Sequence, residues 1–354
     1  MRKRLLILLA ILASFSLLAA ACGDDDGETT DTDDTTDTTD TTDTDMPETD
    51  VSVGLVFDTT GRGDQSFNDS AAAGVDRAVA ELGVAFTEAT PNADGSNRAE
   101  LLQLAADEHD IVLAVGFAFG DTLGPVATDN PDVHFVGVDT FVPDFDNVLN
   151  LAFAEEQGSF LMGVVAALKT ETDSVGFIGG VDMELIQKFE AGFVAGAQAV
   201  NPDIAIAVEY IAPEGDFSGF NAPDRAKEIA ASMYDGGADV VYHAAGGSGL
   251  GLFQAAQDAG AWGIGVDSDQ WALLPDLQDV ILTSMLKPVD SGIFDAIKSE
   301  VDGTFEGGFR TLDLTNGGIG YSTSGGHIDD IVDQVEEYAA QIAAGDIVVP
   351  TTPS

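Results

Sequence analysis

Basic residues are scarce in this chain. Lys and Arg number 13 against 62 Asp and Glu, and the net charge is −49. Nucleic acid and anionic membrane surfaces are both recognised through basic patches, so neither is an expected partner. Three of the cations, Arg2, Lys3 and Arg4, open the chain; those beyond Val51 are few enough that each one is informative. The single cysteine, Cys22, excludes an intramolecular disulfide and a multi-cysteine zinc site. The four histidines, His109, His134, His243 and His327, show no pair at ligand spacing, so no metal is expected. A G-x-x-x-x-G-K-[ST] phosphate loop is missing. Gly246-Gly247-Ser248-Gly249-Leu250 lacks the last glycine of a nucleophile elbow. These absences argue against an enzyme of those classes; no catalytic residue and no cofactor is assigned.

The N-terminus is a targeting segment. Arg2–Arg4 is followed by the apolar run Leu5–Leu18, too short for a confident membrane span, and then by Ala19-Ala20-Ala21-Cys22-Gly23. Small residues before a cysteine resemble a lipobox, which makes Cys22 the expected lipidation site. Ala19 stands where Leu is usual, and an ordinary signal peptide cut after an A-x-A site is the alternative. Both readings export the protein. Residues 23–50 are almost entirely Asp and Thr with no cation, a composition that buries no apolar surface and repels itself. An extended, disordered acidic tether is expected there. Residues 51–350 then form the folded domain.

From Val51 onward, apolar runs rich in β-branched residues alternate with helical patterns. Strands are predicted at 51–57, 84–88, 110–115, 133–138 and 148–153, with helices at 67–82, 98–108 and 121–129. A second set places strands at 173–178, 204–211, 239–243, 263–266 and 280–285. Its helices fall at 155–169, 184–200, 222–236, 250–259, 290–300 and 328–344. Such alternation implies parallel sheets covered on both faces, in an α/β protein of two doubly wound lobes with a cleft between them.

Ligands of open parallel sheets bind beyond the carboxyl ends of the strands. The first strand ends on Asp58, and the polar loop after it leads to Phe67 and Asn68, which places an acid, an aromatic ring and an amide close together. Asp139 and Asp267 also end strands. The Gly-rich loop Gly247-Ser-Gly249-Leu-Gly251 offers bare backbone N–H groups, although a tight turn is an equal reading. Lys287 follows the apolar run Leu282–Leu286 and could pair with Asp267. Phe189 and Phe193, four apart on one helix, fit a core face. Phe217 and Phe220 sit in a Gly-rich loop, where packing explains them less well. Aromatic rings from two lobes would sandwich a planar ligand.

Taken in order, Gly61-Arg-Gly-Asp-Gln-Ser-Phe-Asn68, Gly176-Phe-Ile-Gly-Gly180 with Phe189…Gly192-Phe193, and Ala244-Ala-Gly-Gly247 form a pattern. Gly265-Val-Asp-Ser-Asp-Gln270, followed by Thr283-Ser-Met-Leu-Lys287, completes it. With these stretches the chain resembles the basic membrane protein (BMP) family of bacterial lipoproteins, the PnrA-like purine-nucleoside-binding components of ABC importers. The resemblance runs from Val51 to the last helix and includes the leader. It implies a type I periplasmic-binding-protein fold, with lobe I near 51–153 and 270–315 and lobe II near 154–269 and 316–346. It implies a non-catalytic, extracytoplasmic, lipid-anchored monomer that hands purine nucleosides to a permease and its ATPase. Carried over by position, Phe67 stacks on the base, with Phe193 or Phe217 as the opposite wall. Asn68, Asp58 and Asp139 read the base edge, while Asp267, Lys287 and the Gly246–Gly247 backbone hold the ribose hydroxyls. Pro288 and Val289 follow Lys287 where many members carry a second basic residue. A same-fold receptor for a sugar or furanose signal, a nucleoside-cleaving enzyme, and an anchored sensor or adhesin are the alternatives.

Overall fold

The computed structural model describes residues 49–92 and 94–354. The leader, Cys22 and nearly all of the acidic tether lie outside the described residues. The first lobe is built from β1 (Ser52–Phe57), α1 (Phe67–Leu82), β2 (Ala85–Ala89), α2 (Arg98–Glu108), β3 (Ile111–Val115), α3 (Leu123–Asp129), β4 (His134–Val138) and β5 (Val148–Phe153). The chain then enters the second lobe through α4 (Glu155–Lys169), β6 (Ser174–Val181), α5 (Glu184–Val200), β7 (Ala205–Ala212), α6 (Pro223–Asp235), β8 (Val240–Ala244), α7 (Gly249–Ala259), β9 (Trp262–Gly265), the single turn α8 (Gln270–Leu273) and β10 (Ile281–Leu286). It returns through α9 (Val289–Val301) and β11 (Gly308–Leu312), and ends in β12 (Gly320–Tyr321) and α10 (Val332–Ala343).

Two six-stranded sheets result, in the orders β11-β5-β4-β3-β1-β2 and β12-β10-β9-β8-β6-β7. Every pairing is parallel except that of β12 with β10. The central strands β3 and β8 are buried throughout, because helices cover both faces; the edge strands β2 and β11 keep exposed positions.

The sheets correct the expected lobe boundary. Residues 270–286 do not join the first lobe, since β10 pairs with β9. The stretch 266–280 is long enough for a parallel crossover, which needs about a dozen residues, so β10 continues its own sheet. The second crossing therefore falls at Lys287–Pro288. From there α9 packs on α1, and Asp290 N donates to Ser70 Oγ at 3.2 Å. Three crossings join the lobes: after β5, after β10, and between β11 and β12. Behind the first of them α4 lies close against α5. A Cβ on Gly192 of α5 would collide with the backbone carbonyl of Glu156, so only glycine allows this approach. No helix among the described residues is long and apolar enough to cross a membrane.

Candidate functional site

The loop from β1 to α1 is shaped by carboxylates. Asp64, not Ser66, caps α1: its two oxygens accept from the backbone N–H groups of Ser66, Asn68 and Asp69 at 2.8–3.1 Å. Ser66 stands at the N-cap position, yet its hydroxyl donates across the cleft to Asp267 Oδ2 at 2.5 Å. Beside it, Gln270 Nε2 donates to the carbonyl of Gln65 at 3.1 Å, and Gln65 takes a positive φ of 53°. The first lobe thus grips the second through the segment that the sequence marks as a binding wall.

Two carboxylates stand at equivalent points of the two lobes. Gly137-Val138-Asp139-Thr140 closes β4 and Gly265-Val266-Asp267-Ser268 closes β9. Both aspartates adopt left-handed backbone angles, φ 57° for Asp139 and 64° for Asp267. That conformation costs an L-residue roughly 1–2 kcal/mol, and it turns the side chain out of strand alternation. This repeated Gly-Val-Asp-Thr/Ser element was present in the sequence and would have singled out the pair.

Lys287 lies between the lobes and is 1 % exposed. Its ammonium donates to Asp139 Oδ2 at 2.6 Å and stands 3.0 Å from Glu155 Oε1. The ring centroids of Phe153, Phe67 and Phe189 lie 4.8, 5.2 and 5.8 Å from it. The expected side-chain partner Asp267 is instead tied to the Lys287 backbone, whose N–H donates to the Asp267 carbonyl at 2.9 Å.

Asp58, Phe67, Asn68, Asp139, Gly246, Asp267 and Lys287 line one cleft, together with Asp64, Gly116, Phe117, Leu185, Ile186, Phe189 and Phe220. It encloses about 630 Å³ of space between atoms, open mouth included. Gly116 presses on Asp58: a Cβ there would overlap its carboxylate, and φ is 117°. Asn68 Nδ2 donates to Thr60 Oγ1 at 3.1 Å, while Asn68 Oδ1 and Asp139 Oδ1, both buried, have no hydrogen-bond partner among the described residues.

Three expected residues are placed elsewhere. Phe193 is fully buried, its ring 5.5 Å from Tyr242 and 6.1 Å from Phe177. One turn earlier on α5 Phe189 faces the cleft, as do Leu185 and Ile186 a turn before that, whereas Phe193 faces the sheet. Phe217 meets Phe117 edge-on at 5.2 Å, with the Arg98 guanidinium 5.6 Å from its ring, at a neighbouring hollow that shares Thr59 and Thr60 with the cleft. Gly247 turns toward the Phe220 carbonyl and Asp64. Glu155 was missed altogether. It opens a helix, where an acid is ordinary, so nothing local marked it.

Burial dominates the electrostatics. It pushes Asp58 up to about 6, against the Ala118 N–H and Arg98. Burial also raises Asp139 to about 6, opposed by Lys287 and reinforced by Glu155. It does the same to Asp267, opposed by Lys287 and the Ser66 hydroxyl. Burial alone would lower Lys287, but Asp139, Glu155 and Asp267 outweigh it and hold the ammonium protonated. A carboxylate whose folded pKa is raised costs stability above that pKa, and the cost vanishes below the ordinary value near 4. The unliganded protein is therefore expected to gain thermal stability as pH falls from about 6 to about 4, and Asp58→Asn to flatten that slope. A slope that is unchanged in the variant would mean that Asp58 is hydrated and titrates normally.

Comparison with known proteins converges on one family. Residues 51–352 match the model described as "ABC transporter substrate-binding protein PnrA-like". The chain is 34 % identical to a CD4+ T-cell-stimulating antigen of Listeria innocua over the full length of both. It is 31 % identical to the ABC transporter nucleoside-binding protein BmpA of Lactococcus lactis, covering 99 % of this chain and all of that one. A solved ABC transporter solute-binding protein from Aeropyrum pernix superposes with a TM-score of 0.76 at 30 % identity, over 85 % of this chain and 94 % of the other. Two parallel α/β lobes, three crossings and a carboxylate-lined cleft between them are the type I binding-protein architecture, and the chain belongs to the PnrA-like (Bmp) family of ABC transporter substrate-binding proteins.

Proposed function

We propose that this protein captures purine nucleosides outside the cytoplasm and delivers them to the permease and ATPase of an ABC importer, anchored through lipid on Cys22. One observation carries the reading: a half-buried aromatic ring, Phe67, shares a single cleft with orphan acceptors and a buried Asp–Lys pair. A purine offers a π-face to Phe67 and a polar edge to Asn68, Asp58 and Asp139. Vicinal ribose hydroxyls suit Asp267 as acceptor and Lys287 as donor. Phe189 and Phe220 are the lobe II rings that reach the cleft, and they take the part first expected of Phe193 or Phe217. The Lactococcus relative named as nucleoside-binding supports the same ligand class.

Titration calorimetry with inosine, guanosine, adenosine and free ribose tests this. Nucleosides are expected to bind tightly and ribose weakly. Phe67→Ala is expected to weaken nucleosides by about 1–3 kcal/mol, roughly one to two orders of magnitude, while leaving the thermal midpoint nearly unchanged. If ribose binds as well as inosine, Phe67 does not stack on a base and the ligand is a sugar.

A further inference from the structure

Glu155 is 1 % exposed, yet it does not line the cleft. It stands behind Lys287, on the first crossing, while Lys287 stands on the second. Its Oε1 lies 3.0 Å from the Lys287 ammonium and its Oε2 lies 3.6 Å from that of Lys188 on α5, which is partly exposed. Neither oxygen makes an aligned hydrogen bond. Among the described residues only one of the three N–H groups of Lys287 is spent in a hydrogen bond, the one to Asp139. Asp139 and Asp267, both on the cleft side, pull the ammonium forward. Glu155 is the carboxylate on the hinge side that pulls it back.

We propose that Glu155 is a positioning residue for ligand recognition: its buried carboxylate draws Lys287 against the hinge, so that one ammonium N–H stays directed into the cleft for a ligand hydroxyl. Without this counter-charge the ammonium would collapse onto Asp139 and Asp267 and satisfy all its donors within the protein. The same contact links two of the three crossings, so the donor keeps its place however the lobes move. The proposal rests on the nucleoside reading for the identity of the hydroxyl, and on geometry alone for the position of the lysine.

The experiment is a cycle between one side chain and one ligand group. Calorimetry is run on wild type and Glu155→Gln with inosine and with 2′,3′-dideoxyinosine, which lacks the vicinal 2′ and 3′ hydroxyls proposed to meet Lys287. Glu155→Gln is expected to weaken inosine about tenfold or more and the dideoxy ligand by less than about twofold, because the loss is felt only where Lys287 has a hydroxyl to meet. Equal losses for both ligands would reveal a merely structural role, and no loss for inosine would also overturn the proposal. Glu155→Asp keeps the charge but withdraws it by one methylene; an intermediate loss is expected, and this variant can be read if the glutamine variant folds poorly. A measurement without ligand separates the two readings. In wild type the Lys287 ammonium should give a slowly exchanging proton–nitrogen NMR signal, which Glu155→Gln broadens. Failure of wild type to bind inosine would sink the nucleoside reading alone. An ammonium signal indifferent to Glu155→Gln would sink the positioning role whatever the ligand is.

Discussion

Lys287→Met is expected to cost both stability and binding, and to be the most damaging single change in the cleft. Met has similar length and no charge, so packing against Phe153, Phe67 and Phe189 is largely kept. The loss of charge strands Asp139, whose side chain is 4 % exposed, and leaves Glu155, at 1 %, with only the more distant Lys188 ammonium at 3.6 Å. Removing one member of a buried ion cluster typically costs roughly 3–5 kcal/mol, because the partner's desolvation is no longer offset. Urea unfolding near neutral pH measures it. The defect should shrink on acidification, since Asp139, already raised to about 6 by burial, then protonates and loses the cost of its buried charge. A loss below about 1 kcal/mol would mean that water reaches the cluster and that the pair behaves as a surface salt bridge. Inosine binding should fall in the same variant, which lacks the cationic donor.

Asp267→Ala is expected to separate function from stability. The residue is 8 % exposed, and its carboxylate receives the Ser66 hydroxyl at 2.5 Å and is pushed up to about 6 by burial. Held ionised at neutral pH it costs folding free energy; on the proposed reading it accepts from the ribose diol. Affinity for nucleoside should therefore drop at least about tenfold, about 1.4 kcal/mol, with the stability of the unliganded protein little changed. Alanine also carries the cost of the left-handed backbone at this position, which Asn tolerates better. Asp267→Asn keeps the turn and an acceptor for Ser66 while removing the charge, so it isolates the electrostatic part. Unchanged calorimetric affinity in both variants would remove Asp267 from the site. A binding residue that weakens the empty protein is the expected trade where a site holds polar groups ready for a partner.

The β1–α1 segment was legible because its signals are local. An apolar run ending on Asp58 is a strand end, and the loop to Phe67 and Asn68 can lead only to the start of a helix. The helix Phe67–Leu82 falls where its apolar period puts it. Asp139 and Asp267 were found for the same reason, as acids closing strands, although their shared left-handed turn passed unnoticed. Ser66 shows the limit of such reading. It has the position of a cap, but its hydroxyl serves Asp267, 201 residues away, and Asp64 caps the helix. The strand β11, the two-residue β12 and the turn α8 carry too little pattern to stand out, and β11 and β12 gain their identity only by pairing with β5 and β10.

By itself the sequence determined the alternation of strands and helices, the acid-closed strand ends and the family, because periodicity and turn chemistry are written within windows of about a dozen residues. Tertiary structure alone decided which turn of α5 faces the cleft, and so that Phe189 and not Phe193 reaches it. It also decided that β10 stays with β9, and that Lys287 takes Asp139, 148 residues away, and Glu155 as its partners. Those outcomes depend on charges and faces brought together by two sheets closing on one another. A buried ammonium settles where several fields balance, and that balance exists only once the lobes are in place.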